Sequence, residues 1–347
     1  MRAASINVGL LGAGFMGSTH ASAYARIDSA RLVAVADANR DLAAKLAHEH
    51  HARTCDGIEA LLDDPEVQAV DVCLPTFLHE RCVVSAARHG KHILCEKPIA
   101  LTIEEADRMI AATEQAGVIA MIGQVIRFWP EYVAMRELLQ SGALGDVQAV
   151  KAARLSAPPA WGAWFKDPSL SGGALIDLHV HDLDFIYSLC GMPDRVFATG
   201  LQSATGAWDQ VTSVLEYETV RAVAEGSFLL PDCYPFQMQF RLQGSKGTVE
   251  YRFRVAGQVG ERDEAETELV LYRPGAAPEP VAAAKKDAYQ AEIEFWVDCL
   301  LTHHQPAQAT LRQARDVLGI AMAARRSLET GEIVALHRAA GDSDMKP

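Results

Sequence analysis

The chain has 347 residues, 49% of them hydrophobic and 22% charged, which describes a globular protein too long for one ordinary core, so two domains are expected. A formal net charge of -13 argues against a nucleic-acid partner, because such binding rests on a basic footprint. No run approaches the ~20 uncharged apolar residues of a membrane span, and Met1-Arg2 leads toward a short strand instead of a signal-peptide core, so a cytoplasmic location is expected.

From residue 6 to 124, short β-branched runs alternate with helix-length amphipathic stretches. Ile6 to Leu11, Arg31 to Ala36, Ala69 to Leu74, His92 to Cys95 and Val118 to Gly123 read as strands, and the helices fall near 15 to 28, 39 to 49, 79 to 89 and 102 to 116. That repetition predicts a parallel sheet covered on both faces. Thr102 followed by Glu105 is a capping-box pattern and predicts a helix start there.

The first strand runs into Gly12-Ala13-Gly14-Phe15-Met16-Gly17, a G-x-G-x-x-G pattern in the context of strand then helix that gives it meaning. Gly12 permits the tight turn, Gly14 lets backbone amides approach a pyrophosphate and Gly17 allows close helix packing, with Phe15 and Met16 counted among the cofactor contacts. Asp37, at the end of the second strand, suits the ribose hydroxyls of NAD and repels a 2′-phosphate. Arg40 nearby could accept that phosphate, so NADP use stays open; the bland alternative makes Asp37 a helix N-cap.

Residues beyond strand ends line the ligand crevice of such a sheet, which selects three loops: Pro75-Thr76-Phe77-Leu78-His79, Glu96-Lys97-Pro98 and Gln124-Val125-Ile126-Arg127. Pro75, Thr76, His79, Glu96 and Lys97 are the cofactor candidates among them. For His79, a position as an ordinary helix-start residue competes with a contact to nicotinamide. Pro98 restrains the residue before it, so the Lys97 ammonium is aimed into the cleft.

Beyond residue 125 the texture changes. A helix near 130 to 141 precedes a strand from Val147 to Leu155, then a loop with tryptophans and prolines from 156 to 170. Trp161 and Trp164 there suit the apolar face of a sugar or cyclitol ring, although core packing competes, and Arg127 could bind an anionic substituent. Gly172-Gly173 introduces a helix in which Asp177 and His181 stand at i and i+4, with Asp184 continuing the row. A carboxylate that orients an imidazole makes a general base near neutral pH. If the segment were instead a strand, Asp177, His179 and His181 would share a face suited to zinc, but the apolar pattern favours a helix and no metal is expected. Val196 to Tyr272 reads as an antiparallel meander, residues 274 to 286 as an exposed loop, and about 288 to 302 and 310 to 330 as helices.

These residues carry a resemblance. The fingerprint at Gly12, Gly14 and Gly17, the Glu96-Lys97-Pro98 tripeptide, the segment Ser171-Gly172-Gly173-Ala-Leu-Ile-Asp177-Leu-His-Val-His181 and the closing Ala323-Ala-Arg-Arg-Ser327-Leu-Glu-Thr-Gly331 are together similar to the Gfo/Idh/MocA oxidoreductases. The resemblance implies an α/β protein: an N-terminal Rossmann dinucleotide-binding domain, set at 1–124, and a C-terminal α+β domain, set at 125–340, with an open, mostly antiparallel sheet. It also implies that the sheet builds a homodimer or homotetramer and that Lys97, Asp177 and His181 are the catalytic groups. His179 departs from the family, many of whose members carry glycine there.

The expected chemistry is reversible oxidation of a secondary alcohol on a sugar or polyol. His181 takes the hydroxyl proton, Asp177 orients His181, and Lys97 holds the reacting oxygen while NAD accepts hydride. A dinucleotide-dependent sensor and an NAD-assisted glycosidase are the alternatives.

Overall fold

In β1 (Ile6–Leu11), Val8, Leu10 and Leu11 have no exposed surface, so neither face of the strand meets water. Such a strand belongs in a parallel sheet with helices over both faces. In the computed structural model, which describes residues 5–159, 162–255 and 265–336, the chain supplies those helices by alternation. After β1 come α1 (Phe15–Tyr24), β2 (Ala30–Ala36), α2 (Arg40–Glu49), β3 (Arg53–Thr54), α3 (Ile58–Leu62), β4 (Ala69–Val72), α4 (His79–Arg88), β5 (His92–Glu96), α5 (Ile103–Ala116) and β6 (Ala120–Gly123). The strands lie in the order β3-β2-β1-β4-β5-β6 with every neighbouring pair parallel. The winding direction reverses between β1 and β4, and ligands bind sheets of this kind at that switch, outside the carboxyl ends of the strands. The capping box at α5 forms, Glu105 N donating to Thr102 Oγ1 and Thr102 N to Glu105 Oε2. β3 and α3, absent from the sequence reading, are too short to show a period.

The chain then forms α6 (Pro130–Gln140), β7 (Val147–Leu155), α7 (Pro168–Ser171), α8 (Gly173–Asp177), α9 (Val180–Cys190), β8 (Arg195–Gln202), β9 (Trp208–Glu216), β10 (Arg221–Ser227), β11 (Phe236–Gly244), β12 (Thr248–Val255), β13 (Glu266–Tyr272) and β14 (Glu279–Pro280). It closes with α10 (Ala288–Thr302), α11 (Leu311–Thr330) and β15 (Val334–Ala335). The second sheet has nine strands in the order β14-β13-β12-β11-β7-β10-β9-β8-β15. It is mixed: β7 and β10 run parallel, and all other neighbouring pairs are antiparallel. The single meander expected from Val196 to Tyr272 is thus two meanders separated by β7, the first strand of the sheet in sequence and a central one in space. The period-two reading of β11 holds, with Phe236, Met238, Phe240 and Leu242 buried and Gln239, Arg241 and Gln243 exposed. Tyr132 of α6 and Phe185 of α9 meet edge-on at 4.7 Å and pack on Phe240 and Tyr251 of the sheet.

Two compact units result: residues through Trp129 with Lys286–Arg315, and Pro130–Lys285 with the remainder from Asp316. Residues 286–315, which the sequence reading grouped with the second half, lie in the first unit. The reason is apolar: Ile293, Trp296, Val297 and Leu300 of α10 join Val8, Ala69, Leu94 and Met121 of the parallel sheet in one buried cluster.

Candidate active site

The fingerprint turn shows why each glycine is there. Gly12 sits at φ +100, a conformation that side chains rarely adopt, and a Cβ on Gly17 would stand 1.9 Å from the Gly12 carbonyl oxygen. A Cβ on Gly14 would meet nothing within 4 Å, so no atom of the protein itself excludes a side chain there. Gly14 precedes α1, whose first turn has no side-chain cap and no acidic residue. Open space beside uncapped amides at a helix start fits a pyrophosphate. Phe15 is exposed at this turn and Met16 half-buried.

Asp37 Oδ2 accepts from Ala13 N at 2.7 Å, and Oδ1 from Asn39 N at 2.7 Å, so the carboxylate ties the end of β2 to the glycine turn. It is not the cap of α2; Asn39 fills that role, accepting from Asp41 N and Leu42 N. Arg40 is exposed and pairs with Asp56 at 3.3 Å.

At the carboxyl edge, Thr76 and His79 lie in the turn after β4, Thr76 in a 3-10 turn (Thr76–Leu78) and His79 opening α4. His79 is wholly buried, with Nδ1 2.8 Å from Pro98 O and Nε2 2.8 Å from Leu74 O. Burial lowers its pKa despite those carbonyls. Both ring nitrogens face backbone carbonyls, and the single N–H of the neutral ring donates to one of them, so His79 ties the loop after β4 or β5 to the start of α4. Pro75 begins the turn it stabilises. Glu96 ends β5, and its Oε2 accepts from Lys97 N at 3.1 Å; the Lys97-Pro98 peptide is cis. Arg127 is 2% exposed and donates to Gln313 at 2.7 Å, an interior tie that absorbs part of the cation expected to face substrate.

A buried polar cluster that the sequence reading passed over lies behind this edge. His20 of α1 places Nδ1 2.8 Å from Asp71 Oδ2 and Nε2 3.1 Å from Glu96 Oε1. Tyr24 also donates to Asp71, at 3.0 Å, and the Cys73 thiol lies 3.4 Å from Asp71 Oδ1. Burial opposes the imidazole charge, but Asp71 and Cys73 together outweigh it and hold His20 well above its usual pKa. The available signal was a charged residue inside the apolar run Ala69-Val70-Asp71-Val72.

In the second unit, Gly172 and Gly173 both take positive φ, +75 and +68, and a Cβ on either would press into Ile176 or Ala207. The single helix expected to follow is two. Asp177 is the last residue of α8, Leu178 and His179 form a turn, and His181 is the second residue of α9. His179 N reaches back five residues to Ala174 O, widening the turn, so Asp177 and His181 belong to two short helices and not to one regular helix. Asp177 is 8% exposed and Asp184 wholly buried. Asp209 of β9, unremarked in the sequence, accepts from Ala174 N at 3.0 Å and so holds the start of α8.

His179 turns inward. It is wholly buried, its Nε2 lies 2.9 Å from Ser213 Oγ, and its ring fills the space beside Gly226. Burial and the nearby Arg154 charge push its pKa down to about 4. Arg154 grips Asp182 with two bonds of 3.0 Å, a buried bidentate tie between β7 and α9. Trp164 stacks on Phe165 at 4.0 Å, whereas Trp161 lies outside the described residues. Among the described residues no helix is long and apolar enough to cross a membrane.

Comparison with known proteins places this geometry in context. Residues 6–124 match the Gfo/Idh/MocA oxidoreductase family in its NAD-binding Rossmann fold, and residues 132–250 match the Gfo/Idh/MocA C-terminal domain. The chain is 31% identical over 332 residues to UDP-N-acetylglucosamine 3-dehydrogenase of Acidithiobacillus ferrooxidans, covering 93% of this chain and 97% of that protein. It is 34% identical over 257 residues to inositol 2-dehydrogenase of Rhizobium meliloti, covering 71% and 75% respectively. The solved structure of the Acidithiobacillus enzyme superposes with a TM-score of 0.78 at 29% identity, covering 94% of this chain and 99% of that one.

Proposed function

Because the chain belongs to the Gfo/Idh/MocA family of oxidoreductases, we propose that it is a dehydrogenase that oxidises a secondary hydroxyl of a sugar or polyol reversibly with NAD. The observation that carries this reading is Lys97 at the carboxyl end of β5, in a sheet whose fingerprint turn is open at Gly14. A bound nicotinamide would supply the hydride-accepting carbon. Gly12, Gly14, Phe15, Met16 and Gly17 would surround its pyrophosphate. The Asp37 carboxylate suits ribose hydroxyls, and Arg40, exposed on the next helix, leaves room for NADP as a weaker alternative.

The chain's own residues do the acid-base work. Lys97 places an ammonium on the reacting oxygen and stabilises the negative charge that grows there. His181 accepts the hydroxyl proton, and Asp177 holds the imidazole and favours its charged form. Trp164 offers a ring face to the substrate. Residues 1–124, joined by 286–315, serve the cofactor and the rest of 125–340 the substrate and assembly. The protein works in the cytoplasm as a dimer or tetramer through its second sheet, whose strand β8 exposes Phe197 at 37% and Leu201 at 62%.

Incubating the protein with NAD and a panel of inositols, aldoses and aldonates, and following absorbance at 340 nm, tests the reading. Net NADH from one of them is expected. Lys97→Ala and His181→Ala should each lower kcat by about 10²- to 10⁴-fold while NADH still binds. Wild-type turnover in both variants refutes the assignment; sugar release without NADH would point to redox-assisted glycoside cleavage.

A further inference from the structure

The buried cluster behind the lysine loop has no part in the chemistry just described, yet it touches the residue from which Lys97 continues. Glu96 is 5% exposed and held on three sides. Its Oε2 receives the Lys97 amide, its Oε1 faces His20 Nε2 at 3.1 Å, and a Cβ on Gly123 of the neighbouring strand would stand 3.0 Å from that same Oε1. A methyl at 123 would push the carboxylate by a few tenths of an ångström. The Nε2 to Oε1 contact is within ion-pair distance but off the hydrogen-bond direction, so charge, more than alignment, makes it attractive.

A neutral imidazole has one N–H and could serve only one of the two carboxylates that flank His20. Asp71 in turn is fixed by Tyr24 and Cys73 as well as by His20, so the histidine is anchored on the side away from Glu96. The groups that face the ring are Tyr24 on its own helix, Asp71 and Cys73 at β4, Glu96 at β5, and Tyr289 and Glu292 on α10, the Tyr289 ring centroid lying 5.8 Å away. Carboxylates dominate that environment, and a cation is what they call for.

We propose that His20 is a positioning residue for the catalytic lysine: as an imidazolium anchored on Asp71, it fixes the Glu96 carboxylate, which holds the Lys97 amide and thereby the backbone from which the ammonium projects. The inference rests on the assignment of Lys97 as a catalytic group. His20 touches neither substrate nor cofactor in this scheme; it acts only through Lys97, and that gives the test its form.

His20→Gln keeps a side chain able to hydrogen-bond Asp71 and removes the charge. With NAD and whichever screened polyol is oxidised fastest, it should lose about 10²-fold in kcat, the scale of a catalytic group misplaced by about 1 Å, while the KM for NAD and NADH fluorescence titrations stay near wild type. In a Lys97→Ala background the same substitution should cost almost nothing further, because the group it positions is gone. Losses that multiply in the double variant, or unchanged kcat in His20→Gln, overturn the proposal. Impaired Lys97→Ala with multiplicative losses defeats this inference alone, whereas wild-type turnover in Lys97→Ala defeats the functional reading and this one with it. Should His20→Gln fail to fold by circular dichroism, Gly123→Ala keeps every charge and crowds Glu96 Oε1. It should lower kcat in the Lys97 protein and change nothing in the Lys97→Ala protein; any other pattern overturns the proposal.

Discussion

Gly14 and Gly17 stand three residues apart in one turn, and alanine at the two positions should fail in different ways. At Gly14 the backbone, φ -76 and ψ -157, accepts a side chain, and a Cβ would meet nothing within 4 Å. Alanine there lowers the entropy of the unfolded chain by an amount worth about 0.4–1 kcal/mol. It also gives up the preference for glycine over alanine at a helix N-cap, so the two effects offset. The apo protein should therefore change by less than about 1 kcal/mol, a shift in Tm of about 4 °C at most. NADH, in contrast, should bind at least about tenfold more weakly, ~1.4 kcal/mol, because the methyl occupies the approach to the pyrophosphate. At Gly17 the added Cβ would lie 1.9 Å from the Gly12 oxygen and 2.9 Å from its carbon, both backbone atoms that no rotamer change can move. α1 must shift off the turn, at about 1–3 kcal/mol or more, so the apo Tm falls whether or not cofactor is present. Differential scanning fluorimetry of the apo proteins and NADH fluorescence titration separate the two. Wild-type NADH affinity in Gly14→Ala would refute the reading of this turn as the cofactor's approach.

Three further outcomes are expected. Arg154→Met leaves Asp182 buried without its partner and should destabilise the protein by about 3–5 kcal/mol in urea unfolding, with Asp182→Leu in the same chain recovering much of the loss. Burial and the Arg154 charge push the His179 pKa from the ordinary imidazole value of about 6.5 down to about 4, so its neutral form supports the fold above about 6.5 and that support is lost as pH falls toward 4. From pH 7 to pH 4.5 wild type should lose about 2 kcal/mol more than His179→Gln, and parallel urea curves at the two pH values check the difference. Asp37→Ser removes both the repulsion toward a 2′-phosphate and the tie to Ala13 N; the ratio of kcat/KM for NADP to that for NAD should rise at least about tenfold.

What the sequence revealed is what local pattern encodes. The glycine turn, the capping box of α5 and the alternation in β11 each depend on residues within a few positions, and each appears where expected. The break between α8 and α9 hid because Leu178 and His179 carry no glycine or proline signal, and the partner that His179 finds there, Ser213, lies 34 residues away. Asp209 holds α8 from 35 residues away, and β7 enters a sheet whose other strands come later in the chain. Such pairings carry no signature in a single sequence. For His79 the place in a crevice loop was legible, whereas the approach of its ring nitrogens to the carbonyls of Leu74 and Pro98 was not.

The return of α10 to the parallel sheet also governs when the protein can fold. A ribosome releases all six strands of that sheet long before it releases Ile293, Trp296, Val297 and Leu300, the side chains that cover Val8, Leu94 and Met121. Roughly 170 residues separate the two events, and at ~5–20 residues per second the nascent sheet waits about ten to thirty seconds with that face uncovered. A chain cut before α10 should leave Val8, Leu94 and Met121 without part of their apolar cover, and such a fragment is expected to aggregate.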